Sequence, residues 1–222
     1  MPTLEQARAW YAQADPVHDF EHVRRVYRMA EYLARVEGAD LEIVRAASLL
    51  HDVQGSAPSA AGRGAHHLTS AAFAAQVLRA EGWPSERIQA VQHCIRAHRF
   101  RSQEPPQTLE AQVVFDADKL DVLGAIGVAR ALVYASLNGM PWYAPPSPQF
   151  LREGSRLPDE PHSAYHEYLF KLRHIPQRLY TATARALAQE RLRYLEEFFE
   201  HLIQEWEGKD FHDAHRFDRR PD

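Results

Sequence analysis

Apolar residues recur at three- and four-residue intervals over stretch after stretch of this chain, and the period-two alternation of a strand takes hold nowhere. That pattern restricts the fold to packed helices. Over 20–36 the residues Val23, Val26, Tyr27, Ala30, Leu33 and Ala34 make one stripe, which Gly38 closes. The stretch 41–53 is apolar nearly all round at its end (Ala46, Ala47, Leu49, Leu50), as a central helix should be. Further helices are expected over 67–81, from Ser85 as N-cap to Ala97, over 109–125 and on past Gly127, over 163–173, and from Pro176 at a first helical position to Trp206. Two segments interrupt the pattern. Residues 54–65 hold three Gly, one Pro and two Ser and read as a mobile loop; residues 138–162 hold six Pro and read as a long surface loop, a candidate lid. The expectation is an all-α helical bundle, one domain over 1–206, followed by a disordered charged tail over 207–222.

Composition narrows the function classes. With 222 residues and a formal net charge of −4, the chain lacks the basic balance of a protein that grips a nucleic acid polymer. Its single cysteine, Cys94, excludes an intrachain disulfide and suits a reducing compartment. No signal peptide is visible, and no apolar run approaches the roughly 20 residues of a membrane span. A cytoplasmic protein with no membrane partner is expected, and nothing in the sequence sets an oligomeric state.

The chemistry concentrates in four side chains on helical segments: His22, His51, Asp52 and Asp118. Two imidazoles and two carboxylates form a borderline-hard ligand set, suited to Mn²⁺ or Mg²⁺, with Fe, Co and Ni also compatible, rather than to a structural thiolate zinc site. The His-Asp dipeptide alone is weak, since the chain has it three times. At 51–52 it ends the most apolar helix, where an unpaired carboxylate would be costly. The ordinary alternative is an Asp ending a helix at the surface. Asp118 and Asp121 are three apart and share a helix face, so one can bind metal while the other orients a ligand or water; an acidic patch paired with Lys119 and Arg130 is the alternative. His18, one turn before His22, and Asp121 are candidates for proton handling or positioning. Lys119, Arg25, Arg63 and Arg130 are candidates for holding phosphate. His93 and His98 stand far apart around their helix, so only one of them can line a site. His66 and His67 are candidates for a second metal.

Beyond these residues, longer motifs carry a resemblance. The runs His18-Asp-Phe-Glu-His22-Val-Arg-Arg-Val, Ala46-Ala-Ser-Leu-Leu-His-Asp52, His98-Arg-Phe and Asp116-Ala-Asp-Lys-Leu-Asp-Val-Leu-Gly resemble the HD-domain phosphohydrolases, specifically their small single-domain bacterial subgroup. The likeness covers about residues 15 to 206. It implies one divalent metal on His22, His51, Asp52 and Asp118, and hydrolysis of phosphate esters or anhydrides. It also implies a nucleotide substrate, with release of pyrophosphate from (deoxy)nucleoside triphosphates ahead of monophosphate dephosphorylation. Two other readings remain open at this point: a dinuclear site using His66 or His67 with His93 or His98, for phosphodiester cleavage or diiron oxygenase chemistry, and a non-enzymatic nucleotide-binding module.

Overall fold

The computed structural model describes residues 1–11, 19–54, 66–100 and 104–212. His18, Arg63, nearly all of the Gly-containing segment after Gln54, and residues 213–222 of the expected tail lie outside the described residues. Every regular element among the described residues is helical. The chain forms two compact units, one made of Met1–Asp121 with Ile175–Ala188, the other of Val122–His174 with Gln189–Asp222. No single helix among the described residues is long and apolar enough to cross a membrane.

In the first unit, α1 (Leu4–Trp10), α2 (Phe20–Glu37), α3 (Leu41–Leu50), α4 (His66–Ala80), α5 (Ser85–Ala97) and α6 (Leu109–Leu120) surround one core. The α3 helix is the axis: it packs against α2, α4, α5 and α6. Its residues Val44, Ala46, Ala47, Leu49 and Leu50 are fully or almost fully buried. Burial of a Leu side chain contributes about 1.5–3 kcal/mol, so α3 is held by the packing of its buried face rather than by propensity. Asp40 caps its start, accepting from the amides of Glu42 and Ile43. The helix stops at Leu50, three residues earlier than expected, and His51 is its C-cap. The α1 helix was not legible as a helix. It contributes Ala7 and Tyr11 to a small cluster with Val23, Leu49 and Val53, and Tyr11 Oη donates to the Leu49 carbonyl at 3.1 Å. That bond satisfies an acceptor left over at the end of α3.

The other departures from the sequence expectation are local. Ser85 lies inside α5; Pro84 is the N-cap and makes no side-chain capping bond. The long helix expected past Gly127 breaks after Leu120, because Gly124 takes φ +70° and α7 (Gly124–Leu137) starts anew. Gly127 does remain helical, where a Cβ would meet the Val122 carbonyl oxygen at 2.3 Å. Pro176 sits within a 3-10 turn, Leu172–Arg178, and α10 runs from Ala182 to Trp206. A further 3-10 turn, Lys209–His212, opens the segment expected to be a tail.

In the second unit, α7 packs against α9 (Ala164–Phe170). The Pro-rich segment between them is not irregular throughout. It contains α8 (Pro148–Glu153), with Ser147 as N-cap, Pro148 at the first helical position and Gly154 ending it at φ +70°. Glu160 ties the segment down. Its carboxylate accepts from Ser147 N at 2.6 Å, Ser147 Oγ at 2.7 Å, Leu157 N at 2.9 Å and the buried His166 Nε2 at 3.1 Å.

Candidate metal centre

All the described site residues except Arg130 belong to the first unit. His22 stands on the first turn of α2, which Asp19 caps by accepting from the His22 amide at 3.0 Å. The His22 ring is turned by its other side: Nδ1 donates to Asp121 Oδ2 at 2.7 Å. That leaves Nε2 facing Asp118 Oδ1 at 3.4 Å and Asp52 Oδ2 at 3.9 Å. His51 is oriented in the same manner by its own helix, with Nδ1 donating to the Ser48 carbonyl at 2.8 Å. Its Nε2 is buried without a hydrogen-bond partner. His98 repeats the device at the end of α5, donating from Nδ1 to the Ile95 carbonyl at 2.6 Å, so its Nε2 points at Asp52 Oδ1, 3.4 Å away.

One row of imidazoles results. Ring centroids run His22 to His51 at 5.5 Å, His51 to His98 at 5.2 Å, and His98 to His66 at 5.5 Å. Asp52 lies alongside the row and addresses both ends: Oδ2 is 3.9 Å from His22 Nε2 and 3.7 Å from His51 Nε2, and Oδ1 is 3.1 Å from His66 Nε2. Two groups have ligand atoms within 4.8 Å of one another: His22, His51 and Asp118, and Asp52, His66 and His98. Burial works against the Asp118 carboxylate, but Lys119 and the His22, His51 and His98 rings outweigh it and hold Asp118 below the usual carboxylate range. Burial likewise opposes charge on Asp52, and His51, His66 and His98 reverse it.

These residues fit a divalent cation. A neutral imidazole whose Nδ1–H is given to a carbonyl offers Nε2 as a lone pair, and on His51 that lone pair is buried and unsatisfied. Such an orphan costs about 1–3 kcal/mol unless something electrophilic meets it. The donors are nitrogen and carboxylate oxygen without thiolate, which favours Mn, Mg, Fe or Co over a structural zinc. Their backs are held, as ligating histidines usually are, by a carboxylate or a carbonyl.

The remaining expected residues are placed as follows. Asp121 sits on the His22 ring and also takes Arg25 in a fork, Nε to Oδ1 at 2.7 Å and Nη2 to Oδ2 at 3.0 Å. Arg25, expected on phosphate, therefore has two of its nitrogens engaged by Asp121. Lys119 Nζ donates to Asp118 Oδ2 at 2.5 Å. Arg130 lies on α7, in the second unit. Of the pair on α5, His98 lines the site, whereas His93 turns away to Glu104 at 2.6 Å and accepts from the Gln107 amide. Of the pair after the Gly-containing segment, His66 joins Asp52. His67 faces Arg99, and burial, with Arg99 next, lowers it to about 4. Asp116 accepts from the amides of Tyr180 and Thr181 and from Thr181 Oγ1 at 2.7–3.2 Å. No sequence signal marks that partner, 64 residues away.

Comparison with known proteins agrees with this geometry. Residues 19–123 match the HD domain family. The Bacillus subtilis protein YpgQ is 32% identical over 215 residues, covering 93% of this chain and 95% of YpgQ. Its crystal structure in complex with ADP superposes with a TM-score of 0.71 at 30% identity, over 91% of this chain and 97% of that one. A Bacillus thuringiensis structure described as an HD-superfamily hydrolase gives 0.68 at 28% identity, over 92% and 94%. The ligand set, its helical frame and these likenesses together establish that the chain belongs to the HD-domain family of metal-dependent phosphohydrolases.

Proposed function

We propose that the chain hydrolyses a nucleoside or deoxynucleoside triphosphate to the monophosphate and pyrophosphate. The observation that carries it is the buried, partnerless His51 Nε2 beside His22 and Asp118. YpgQ, alike over nearly its whole length, was crystallised with ADP, and that supports a nucleotide here. His22, His51, Asp52 and Asp118 would hold the cation, Mn²⁺ or Mg²⁺ before Fe, Co or Ni. When bound there it supplies Lewis-acid polarisation of a phosphoryl oxygen and a more acidic water. The chain's own groups do the rest. Asp121 keeps His22 Nε2 turned inward, and Arg25 holds Asp121 in place through its two-nitrogen fork. Lys119 places an ammonium beside Asp118, where developing phosphate charge is neutralised. His98 stands within reach of Asp52 and can pass a proton.

Chromatography of a reaction with a deoxynucleoside triphosphate and Mn²⁺ tests the reading. Monophosphate plus pyrophosphate is expected; diphosphate plus orthophosphate as sole products would refute the attack at the α phosphorus and leave a phosphohydrolase.

A second reading has an observation of its own. The Asp52, His66 and His98 group could take a second cation, with Asp52 between the two. Metal analysis separates them: about one ion per chain favours the first, two favour a dinuclear phosphodiesterase or diiron site.

A further inference from the structure

Beside the metal centre the first unit has a cavity of about 430 Å³, among whose walls are Phe100, Pro105, Pro106, Phe115, Arg178 and Tyr180. Its position is set by two links. His98, which faces Asp52, is two residues before Phe100. Lys119 Nζ, bonded to Asp118, lies 4.9 Å from the Phe100 ring centroid and 5.4 Å from that of Phe115. Two rings of the cavity wall, Phe100 and Phe115, therefore flank the Lys119 ammonium that bonds Asp118. The rings are ordered rather than collapsed: Phe115 stands edge-on to Phe100 at 5.2 Å and to Tyr180 at 5.2 Å. Tyr180 keeps a side chain 39% exposed while its amide is fastened to the buried Asp116. Arg178 lies with its guanidinium 5.1 Å from the Phe100 centroid. Among the described residues no carboxylate pairs with it, unlike Arg25 or Arg96. Glu104, also at the wall, is held by Arg96 first and is lowered to about 2, so its charge is already met.

Flat π-faces, an unneutralised guanidinium and room for one small molecule are what a purine or pyrimidine nucleoside selects. We propose that this cavity seats the base and sugar of the nucleotide, with the base against Tyr180 and the Arg178 guanidinium, while the phosphates extend past Lys119 to the metal ligands. The inference rests on the nucleotide reading above. It assigns substrate preference to the 177–180 segment, some 125 residues from the His-Asp pair in sequence.

The test compares substrates with and without a nucleoside. Each of the four deoxynucleoside triphosphates and inorganic tripolyphosphate are assayed with wild type, Tyr180→Ala, Tyr180→Phe and Arg178→Ala, with metal content and melting temperature measured alongside. For the two Ala variants, KM for the nucleotides is expected to rise about tenfold or more with kcat little changed, while KM for tripolyphosphate moves less than about threefold. Tyr180→Phe, which keeps the ring, should keep KM. Equal rises for nucleotides and tripolyphosphate would overturn the assignment, since the cavity would then hold phosphate. No rise for either would overturn it too. Wild type that hydrolyses tripolyphosphate but neither binds nor hydrolyses any nucleotide would instead remove the nucleotide reading itself, and this inference with it.

Discussion

Asp121 Oδ2 accepts from His22 Nδ1 at 2.7 Å across 99 residues of sequence, and this bond decides which nitrogen of His22 faces Asp118. We propose that Asp121 acts as a positioning residue, orienting the His22 ring. Asp121→Asn is expected to weaken metal affinity about 10- to 100-fold, the usual range for an outer partner of a ligating histidine. Asp118→Asn should lose the metal altogether at the same concentration. Titration with Mn²⁺ measures both; equal losses would remove the distinction between ligand and orienting group.

Replacing His51 or Asp52 with Ala should abolish metal retention and hydrolysis together while the helical far-UV spectrum persists. Both side chains leave α3 at its end, beyond the packed stretch that holds the helix. Full activity in Asp52→Ala would sink the proposed centre.

Metal removal should be visible in stability. A cation at about 100 times its Kd stabilises the folded state by about 2.7 kcal/mol, worth roughly 5–10 °C for a chain of this size. Scanning calorimetry with and without chelator reads this directly, and an unchanged melting temperature at saturating Mn²⁺ would count against any site here.

Acid stability should depend on Glu104. The Arg96 guanidinium, with His93, holds its carboxyl at about 2 in the fold against an ordinary 4.5. A group depressed on folding contributes stability above its unfolded value, and that contribution is lost as pH falls through the folded one. The melting temperature should therefore decline between about pH 4.5 and pH 2, and Glu104→Gln should flatten that limb. Identical pH profiles for the two proteins would show that the pair contributes nothing.

Glu160→Ala should open the 140–161 segment to trypsin at Arg152 and Arg156 while leaving metal content unchanged. The wild-type carboxylate closes four hydrogen bonds within the segment and to His166. Limited proteolysis followed by mass spectrometry checks it; equal cleavage rates would mean the segment is held elsewhere.

Much of the frame was readable because helices that bury one face must repeat every three to four residues, and α2, α4 and α5 fall close to where that period puts them. Their ends were less readable. The stop of α3 at Leu50 and the break before Gly124 are set by tertiary contacts and by one positive φ, neither of which has a periodicity. The proposed ligands stood out because charged side chains ended an apolar helix. Their supports did not: the Asp121–His22 and Asp116–Tyr180 bonds join residues 99 and 64 positions apart, and sequence spacing carries no trace of such pairs. The choice of His66 over His67, and of His98 over His93, likewise depends on where a side chain turns at the end of its helix.

The way α3 ends has a consequence for how such chains can vary. Its buried face is packed against α2, α4, α5 and α6, and its final step delivers His51 and Asp52. One residue added or removed between Asp40 and His51 would swing the pair by about 100° and shift it about 1.5 Å. Side chains along α3 can be exchanged for others of similar volume, but its residue count behaves as a fixed quantity, a ruler cut to a single length.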